Sequence, residues 1–590
     1  MDSQATDHLI RVGTSQQLEE KGCIVVSGDD RPIAVFAHEG KVRAVDNRCP
    51  HMGFPLHKGT VQDGILTCHW HHARFDLTSG CTFDLFADDV PTYPVEIREG
   101  DVWVNPRSER ADEAAHWRQR LEEGMAQNIP LIIAKGVIGL LKAGVDYEEI
   151  LQSGVLFGCR YRDGWGVGLT ILSAMANLVP SLPEEEQFLA LYQGLRRTAA
   201  DCVGQVPRRD RHALETDDLP LHTLKRWFRY WTLVRHRDGA ERTLLTAIRG
   251  GASPAELADL LFTAATDRFY SNTGHVLDFI NKALDSLDLI GWEHAEAVLP
   301  TVVGQLVAGR GGEEMNSWRH PIDLVPLVES ASGSLERWMQ EGQGNAWDDE
   351  AGLAARLLAD DPEAIISAVG DAVRAGAQPT QLGKSVCYAA ALRIARFGTA
   401  NEFADWITAL HTFTYCNAFH RGMKRVATLC SLTNPDLLRG VLHGAMSIYL
   451  DRFLNVPSAH LPGERLPVDA EPAEAAALCE ELLDTLDSQH RVEEGAKIVA
   501  AYLSQNHPLD LLTGALARGV LREDADFHTF QMLEASLRQY EEWGNSPEGR
   551  NILIALTRYI AAHSPTERAQ LQTAQIALRL HRGEALYVEE

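Results

Sequence analysis

The 590-residue sequence lacks long apolar runs and any excess of basic charge. Its most apolar stretch, from Ile129 to Leu141, is shorter than the about 18 residues that a membrane-spanning helix needs and is interrupted by Lys135. The opening MDSQATDHLIRV has no basic start followed by an apolar stretch, so no signal peptide is predicted and we expect a cytoplasmic protein. The net charge of −27 disfavours binding to nucleic acid or to anionic membranes, because both require basic patches.

Cysteine is sparse, with ten residues in the chain, and none of them forms a C-x-x-C pair. A thiol–disulfide enzyme is therefore disfavoured, and most cysteines are expected to be small buried apolar residues. No G-x-G-x-x-G motif follows a predicted strand, so the chain is not expected to bind a flavin or NAD of its own. Any electrons that it uses should then come from an external reductase or ferredoxin.

Two short stretches near the amino terminus each combine one thiol with one imidazole. Cys49-Pro50-His51 is followed, after 16 intervening residues, by Cys68-His69-Trp70-His71. The apolar runs at 22–26, 33–36, 42–45 and 65–67 predict short β-strands, with the two stretches on the loops between them. Two Cys and two His can hold a [2Fe-2S] cluster, with the thiolates on one iron and the imidazoles on the other. Zinc is the alternative, but the Cys–His alternation does not fit the usual C-x2-4-C and H-x3-5-H spacing.

Residues 8 to about 108 resemble a Rieske-type ferredoxin domain in AVDNRCPHMGFPLHKGTV, GILTCHWHHARFDLTSG and YPVEIREGDVWV. The resemblance implies that a [2Fe-2S] cluster is bound with Cys49 and Cys68 on one iron and with His51 and His71 on the other. The chain departs from the family at 69 and 72, where His replaces the usual Pro and Gly.

High-potential members of the family join the two loops by a disulfide, and this chain has Phe54 and Trp70 at those positions. The resemblance therefore implies a reduction potential in the lower part of the window of about −150 to +300 mV. Such a potential suits a ferredoxin-like donor to an oxygenase.

Beyond Asn105 the strand-like alternation ends and a helical periodicity rich in Ala, Leu, Arg and Glu takes over. We predict an α+β multidomain chain, with an all-β domain over 1–108 and an all-α helical-repeat domain over 109–590 that could divide again near 330–360. A repeated phrase of two apolar helices joined at a glycine occurs at 131–158, 244–265, 364–390 and 511–530. In the second copy, Ser253 and Glu256 have the spacing of a capping box.

Two copies of a Y-x-N-x-x-H motif are the candidate catalytic residues of the helical part. They comprise Tyr270, Asn272 and His275, and Tyr415, Asn417 and His420. If both motifs run into helices, the two faces could converge on a cavity that binds a second, mononuclear iron or polarises an organic substrate. The alternative is that these residues cap helices and satisfy buried backbone groups. His411 and His443 are secondary candidates, and His411 and His420 should lie on opposite faces of a continuous helix.

The features together predict an iron–sulfur oxidoreductase whose cluster relays electrons to a site in the helical domain, where an organic substrate is oxygenated. The stretch ALHTFTYCNAFHRGMKRV resembles questin-oxidase-like proteins, and this resemblance implies oxygenative ring opening. The N-x-x-D-x-x-H-x4-H string of the mononuclear iron in Rieske-type oxygenases is absent, and only one Glu-x-x-His motif occurs, at Glu113 and His116. The alternative function is a non-enzymatic electron carrier or redox sensor with a helical docking scaffold. A homo-oligomer is compatible with either function.

Overall fold

A computed structural model describes residues 9–28, 31–107, 113–216, 219–429, 435–454, 456–465, 472–584 and 586. The chain folds into two compact units, one of Met1–Ile150 with Ala569–Glu590 and the other of Leu151–Arg568. The boundary predicted between residues 108 and 109 lies outside the described residues, and the predicted division into domains remains a prediction.

Ten strands form the β-rich part of the first unit. They are β1 Ile10–Thr14, β2 Cys23–Ser27, β3 Pro32–His38, β4 Lys41–Asp46, β5 Thr60–Gln62, β6 Ile65–Thr67, β7 Arg74–Asp76, β8 Thr92–Tyr93, β9 Val95–Arg98 and β10 Asp101–Val104. They pair antiparallel in three small sheets with the strand orders β1-β10-β9, β2-β3-β4-β8 and β5-β6-β7. The predicted strands at 22–26, 33–36, 42–45 and 65–67 are thereby confirmed.

Strand β3 separates two apolar cores of the first unit. Ile33 and Val35 pack in one core, whereas Ala34 and Phe36 pack in the other. This division follows from the period of two along a strand, because successive side chains point to opposite faces. The second core contains both cysteines of the sequence motif, so the candidate thiol ligands are part of the packed interior.

The chain contains 24 α-helices among its described residues, nearly all of them after residue 112 as the sequence predicts. They are α1 Ser15–Lys21, α2 Glu113–Ala126, α3 Pro130–Lys142, α4 Tyr147–Tyr161, α5 Val167–Leu178, α6 Glu184–Cys202, α7 Leu221–Leu233, α8 Arg237–Arg249, α9 Pro254–Ala265, α10 His275–Ile290, α11 Ala295–Val298, α12 Pro300–Ala308, α13 Leu324–Glu341, α14 Glu350–Leu357, α15 Pro362–Arg374, α16 Pro379–Ala395, α17 Phe403–Val426, α18 Pro435–Asp451, α19 Ala475–Leu486, α20 Val492–Ser504, α21 Leu509–Leu521, α22 Phe527–Trp543, α23 Pro547–His563 and α24 Ala569–His581. Within the described ranges, none of these helices is both long and apolar enough to cross a lipid bilayer.

The four repeated phrases correspond to the helix pairs α3/α4, α8/α9, α15/α16 and α21/α22. In the second pair, the side chain of Ser253 accepts a hydrogen bond from the backbone N–H of Glu256, and the Glu256 carboxylate accepts one from the backbone N–H of Ser253. This reciprocal arrangement is the predicted capping box, which satisfies two backbone donors that the first helical turn leaves free. Gly251, between the two helices, has a φ of 80°, a left-handed conformation that favours glycine.

Candidate metal centres

The first ligand loop connects β4 to β5 and is closed by hydrogen bonds of its own backbone. The N–H of Cys49 donates to the carbonyl of Phe54 at 2.8 Å, and the N–H of Gly53 donates to the carbonyl of Cys49 at 2.7 Å. Gly53 has a φ of 81°, so the turn requires a residue that tolerates the left-handed region. This tight loop places Cys49 and His51 on one short segment.

The second ligand loop connects β6 to β7 in a similar way. The N–H of Cys68 donates to the carbonyl of Ala73 at 2.8 Å, and the N–H of His72 donates to the carbonyl of Cys68 at 3.0 Å. His72 has a φ of 61°, which explains why the resembling family uses glycine at this position. His72 is therefore a strained solution to a turn that the ligand loop needs.

The two thiols meet in the apolar core of the first unit. Cys49 is 2% exposed and Cys68 is 1% exposed. The Cys49 thiol donates a hydrogen bond to the Cys68 sulfur, which lowers the pKa of Cys68 to about 6 and raises that of Cys49. One of the two sulfurs is thus poised as a thiolate, which is the form that binds metal.

The two imidazoles lie beside the thiols, with the ring centres of His51 and His71 4.9 Å apart. Nδ1 of His51 is buried and has no hydrogen-bond partner among the described residues. Burial, together with the nearby His71 and Lys135, lowers the pKa of His51 to about 4. The ring is therefore neutral at physiological pH and presents a free nitrogen lone pair, as a metal ligand must.

The four side chains thus form one donor set, with thiols inside and imidazoles toward the surface. His71 is exposed and His51 is partly exposed. An orphaned buried nitrogen and two contacting sulfurs fit the asymmetric ligation of a [2Fe-2S] cluster. The imidazole edge is the part of the site that solvent or a redox partner can reach.

The departures from the family pattern also have visible consequences. The ring centres of Phe54 and Trp70 lie 6.2 Å apart, so an aromatic contact occupies the position of the missing disulfide. His69 is exposed and its Nε2 lies 3.3 Å from the hydroxyl of Thr60. His69 and His72 are both solvent-exposed loop residues.

In the second unit, three histidines from three separate helices converge, and we call them the histidine triad. His275 begins α10, His411 lies in α17 and His528 lies in the first turn of α22. One ring nitrogen from each lies within 4.8 Å of the others. Of the sequence candidates, only His275 and the secondary candidate His411 belong to this cluster.

Neighbouring acceptors fix the tautomers of two triad members. Nδ1–H of His275 donates to the carbonyl of Asn272 at 3.0 Å, and Nδ1–H of His528 donates to the carboxylate of Asp526 at 3.0 Å. Both rings therefore keep the lone pair on Nε2. The Nε2 atoms of His411 and His528 are 2.9 Å apart, so the N–H of His411 donates to His528. A carboxylate or carbonyl behind a histidine is the usual outer support of a metal-binding imidazole.

Burial favours the neutral form of two members of the triad. Burial, with the adjacent His275 and His528, lowers the pKa of His411 to about 3. Burial also lowers the pKa of His275. The converging Nε2 atoms present more lone pairs than the rings can satisfy among themselves, and a divalent transition metal would satisfy them.

The backbone before His275 is strained. Tyr270, Asn272 and Thr273 have φ values of 47°, 50° and 51°, and Gly274 has a φ of 90°. Such left-handed residues cost free energy and persist where the surrounding structure requires them. Here they turn the chain so that α10 starts at His275 and presents its ring to His411.

The first Y-x-N-x-x-H motif runs into helix α10 as the sequence predicts, whereas the second has a different conformation. The second motif lies inside α17, which is continuous from Phe403 to Val426. His420 is therefore about 13 Å along the helix from His411 and cannot join the triad. It contacts Gln539, whose amide also donates to the carbonyl oxygen of the Asn417 side chain at 2.8 Å. The structure brings His275 together with His411 and His528 and not with His420.

The tyrosines of the two motifs do come together, with ring centres 5.1 Å apart. The hydroxyl of Tyr270 lies 3.3 Å from that of Thr412, and the hydroxyl of Tyr415 lies 3.4 Å from Nδ1 of His443. All of these groups are buried. The tyrosine pair therefore packs the interior next to the α17 segment that carries His411.

Sequence reasoning missed His528 altogether. Its local signal is the string Asp526-Phe527-His528-Thr529, in which Asp526 caps α22 by accepting a hydrogen bond from the N–H of Thr529 at 3.1 Å. The same carboxylate holds His528, so a helix cap also serves as the support of a candidate ligand. A capping Asp two residues before a His is a pattern that could have drawn attention to this position.

Comparison with known proteins concerns the first unit. The Rieske [2Fe-2S] domain family matches residues 8–94. The ferredoxin subunit of 3-phenylpropionate/cinnamic acid dioxygenase from Photorhabdus laumondii is 34% identical over 80 residues, which are 13% of this chain and 76% of that subunit. The 4beta-methylsterol monooxygenase of Methylococcus capsulatus is 35% identical over 85 residues, which are 12% of this chain and 23% of that enzyme.

Among solved structures, the ferredoxin of carbazole 1,9a-dioxygenase from Nocardioides aromaticivorans is 25% identical, with a TM-score of 0.17. The match covers 17% of this chain and 100% of that ferredoxin. The chain spans about a fifth of the length of several larger curated relatives that it matches.

Proposed function

The chain belongs to the Rieske [2Fe-2S] family through its amino-terminal domain, and from this premise we propose that it is an oxidoreductase with two metal centres. Cys49, His51, Cys68 and His71 would hold the cluster. His275, His411 and His528 would hold a mononuclear metal that receives its electrons. When bound, a Rieske cluster supplies one electron at a time.

The residues of the first site have separate tasks in this proposal. Cys49 and Cys68 anchor the cluster from the apolar core, where water is excluded. The exposed imidazole of His71 provides the edge through which electrons enter and leave. An external reductase or ferredoxin would approach this edge, because the sequence carries no dinucleotide-binding motif of its own.

The observation that carries the second centre is the convergence of the histidine triad with its supporting acceptors. Asn272 and Asp526 accept the Nδ1 protons of His275 and His528, which directs two Nε2 lone pairs toward His411. Imidazole ligands suit iron, copper and zinc alike. Zinc has no redox chemistry, so a redox-active metal fits a one-electron donor, and we propose iron.

The reaction class that we propose is oxygenation of an organic substrate. Placing one atom of dioxygen in a substrate and reducing the other to water consumes two electrons and two protons, which a one-electron donor can deliver in two transfers. Relatives of the amino-terminal domain include the methylsterol monooxygenase and the vanillate O-demethylase oxygenase subunit of Pseudomonas sp.. These names describe those proteins and supply the class of reaction for this proposal.

Metal analysis with EPR on the full chain tests the two centres separately. We expect three irons per chain after anaerobic reconstitution, two in His411→Ala and one in Cys68→Ser. His420→Ala is the matched control, since it lies on the same helix outside the triad, and should retain three. A wild-type chain that holds only two irons would overturn the second centre and leave the cluster.

A kinetic experiment distinguishes the enzyme from an electron carrier. The dithionite-reduced cluster should be reoxidised by dioxygen more slowly in His411→Ala than in wild type, because electrons could no longer pass to the second centre. Equal reoxidation rates in the two proteins would favour the alternative function, a carrier whose helical part is a docking scaffold.

A further inference from the structure

Helix α3 carries a single charged residue within its apolar stretch, and that residue reaches the first ligand loop. Lys135 is 6% exposed, among the buried residues Ile132, Val137 and Ile138. Its Nζ donates a hydrogen bond to the carbonyl of Pro50, the residue between Cys49 and His51. Burying an ammonium group among apolar residues costs free energy unless neighbouring groups compensate its charge.

Residues of α2 and of the loop before β8 surround this ammonium. Burial lowers the pKa of Lys135 and the guanidinium of Arg120 lowers it further, whereas the carboxylate of Asp88 acts in the opposite direction and favours the ammonium form. Asp88 is itself shared, since its Oδ1 lies 3.1 Å from Nε2 of His116 and 3.2 Å from Nε of Arg120. The Asp88 carboxylate therefore divides its interactions among several cationic groups.

The amine of Lys135 lies next to the cluster ligands. Its Nζ is hydrogen-bonded to the carbonyl of Pro50, which lies between the ligands Cys49 and His51 in the sequence. A positive charge at this position lies one residue from a thiol ligand and one residue from an imidazole ligand. Lys135 lies outside residues 8–94, so the matched family domain does not supply this residue.

We propose that Lys135 is a positioning residue that sets the reduction potential of the cluster. Its hydrogen bond holds the Pro50 carbonyl and with it the spacing of Cys49 and His51. Its charge favours the reduced state, because reduction adds one electron, and so one negative charge, to the cluster while the four ligands stay in place. Lys135 thus raises the potential above the value that the Rieske domain alone would have.

A cavity that contains both cationic and anionic side chains lies next to the ligand loop. It has a volume of about 470 Å³ and is lined by Arg31, Arg48, Pro50, Lys135 and Lys142 together with several carboxylates. Water in a polar cavity of this size would screen a mobile surface charge. The buried Lys135 is instead fixed by the Pro50 carbonyl, so its influence should survive at high ionic strength.

The inference rests on the cluster of the proposed function and not on the histidine triad. The test is a potentiometric titration of the full chain with dithionite, followed by EPR. In Lys135→Met and Lys135→Gln we expect the ratio of oxidised to reduced cluster at the wild-type midpoint to rise about tenfold, which corresponds to about 59 mV for one electron. Gln retains a donor for the Pro50 carbonyl, so the Lys135→Gln variant removes the charge while it keeps the hydrogen bond.

Two controls make the result specific. Lys135→Arg keeps the charge and should stay within twofold of the wild-type ratio. Lys58→Met removes an exposed lysine from the same ligand loop and should also stay within twofold, because solvent screens that charge. All variants that hold the cluster should keep the wild-type g-values, since the ligands are unchanged.

The outcomes separate the inference from the proposed function. A wild-type protein without a cluster signal would overturn the proposed function. A wild-type midpoint in Lys135→Gln would overturn the role of the charge. Loss of the cluster in both neutral variants but not in Lys135→Arg would support the positioning role, whereas loss in Lys135→Arg as well would overturn the inference, because the side chain would then serve only packing.

Discussion

Replacing Asp526 by asparagine should weaken metal binding at the histidine triad without unfolding the helix that carries it. One carboxylate oxygen of Asp526 accepts Nδ1–H of His528 at 3.0 Å, and the other accepts the N–H of Thr529 at 3.1 Å. Asparagine is as good a helix cap as aspartate, so the cap can survive the change. The amide has only one acceptor oxygen, however, and cannot serve both partners.

The expected loss of metal affinity depends on which partner the asparagine amide satisfies. If its oxygen keeps the Thr529 N–H, its NH2 group faces Nδ1 of His528 and forces the proton of that ring onto Nε2, where a metal would bind. Loss of such outer support typically costs 10–100-fold in metal affinity, or about 1.4–2.7 kcal/mol. Asp526→Ala removes the cap as well and should cost about 1 kcal/mol of additional stability.

The assay is a titration of the full chain with Co²⁺, followed by visible absorption, beside urea unfolding of each variant. Asp361→Asn is the matched control, because Asp361 caps α15 in the same unit by accepting the N–H of Glu363 at 2.9 Å and touches no triad residue. It should leave the Co²⁺ affinity unchanged. Wild-type Co²⁺ affinity in Asp526→Asn would refute the reasoning that the carboxylate orients His528.

Three further predictions concern backbone strain and pH. His72→Gly should raise the free energy of unfolding of the first unit by about 1 kcal/mol, measured by urea, because it relieves a left-handed residue at φ 61°. Gly274→Ala should destabilise the second unit and weaken Co²⁺ binding, because a Cβ there would lie 3.0 Å from Cβ of Tyr415 and 3.1 Å from the carbonyl of His411. Burial raises the pKa of Asp451 to about 7, although the hydrogen bond with Thr412 acts in the opposite direction. The contribution of Asp451 to the free energy of unfolding should therefore fall by roughly 4 kcal/mol as the pH rises from about 4 to about 7.

Each of these predictions has a neighbouring control. His69→Gly changes a loop residue without a positive φ and should not stabilise the first unit, so an equal gain there would contradict the strain argument. Gly333→Ala meets no atom within 4 Å and should be tolerated, in contrast to Gly274→Ala. Asp451→Asn should flatten the pH dependence of urea unfolding, whereas Asp360→Asn, at an exposed site, should not; identical profiles for both variants would reject the assigned carboxyl.

Local patterns in the sequence predicted four of the strands and both ligand loops in the β-rich part of the first unit. The alternating apolar runs predicted β2, β3, β4 and β6, because a strand with one or two buried faces repeats every two residues. Both ligand loops are short segments closed by their own hydrogen bonds, so the neighbouring residues that the chemistry needs are neighbours in sequence too. The helix pairs and the capping box were likewise readable, since caps and turns depend on residues three or four positions apart.

The second centre could not be found by the same logic. The first copy of the Y-x-N-x-x-H motif forms a strained turn before His275. The second copy, which ends at His420, lies in the middle of a continuous helix. The difference lies in Gly274 and its left-handed neighbours, which break the helix in one copy, and in helix packing, which the motif does not encode. Equal letters therefore do not place His420 in the cluster that contains His275.

What the sequence determined by itself is the iron–sulfur domain and the helical character of the rest, because both arise from interactions within a few residues. What only the tertiary structure decided is which histidines share a site. His411 and His528 are 117 residues apart, and their contact depends on how α10, α17 and α22 pack. The packing of distant helices depends on the fit between whole apolar faces, so the spacing of residues within one segment does not predict it.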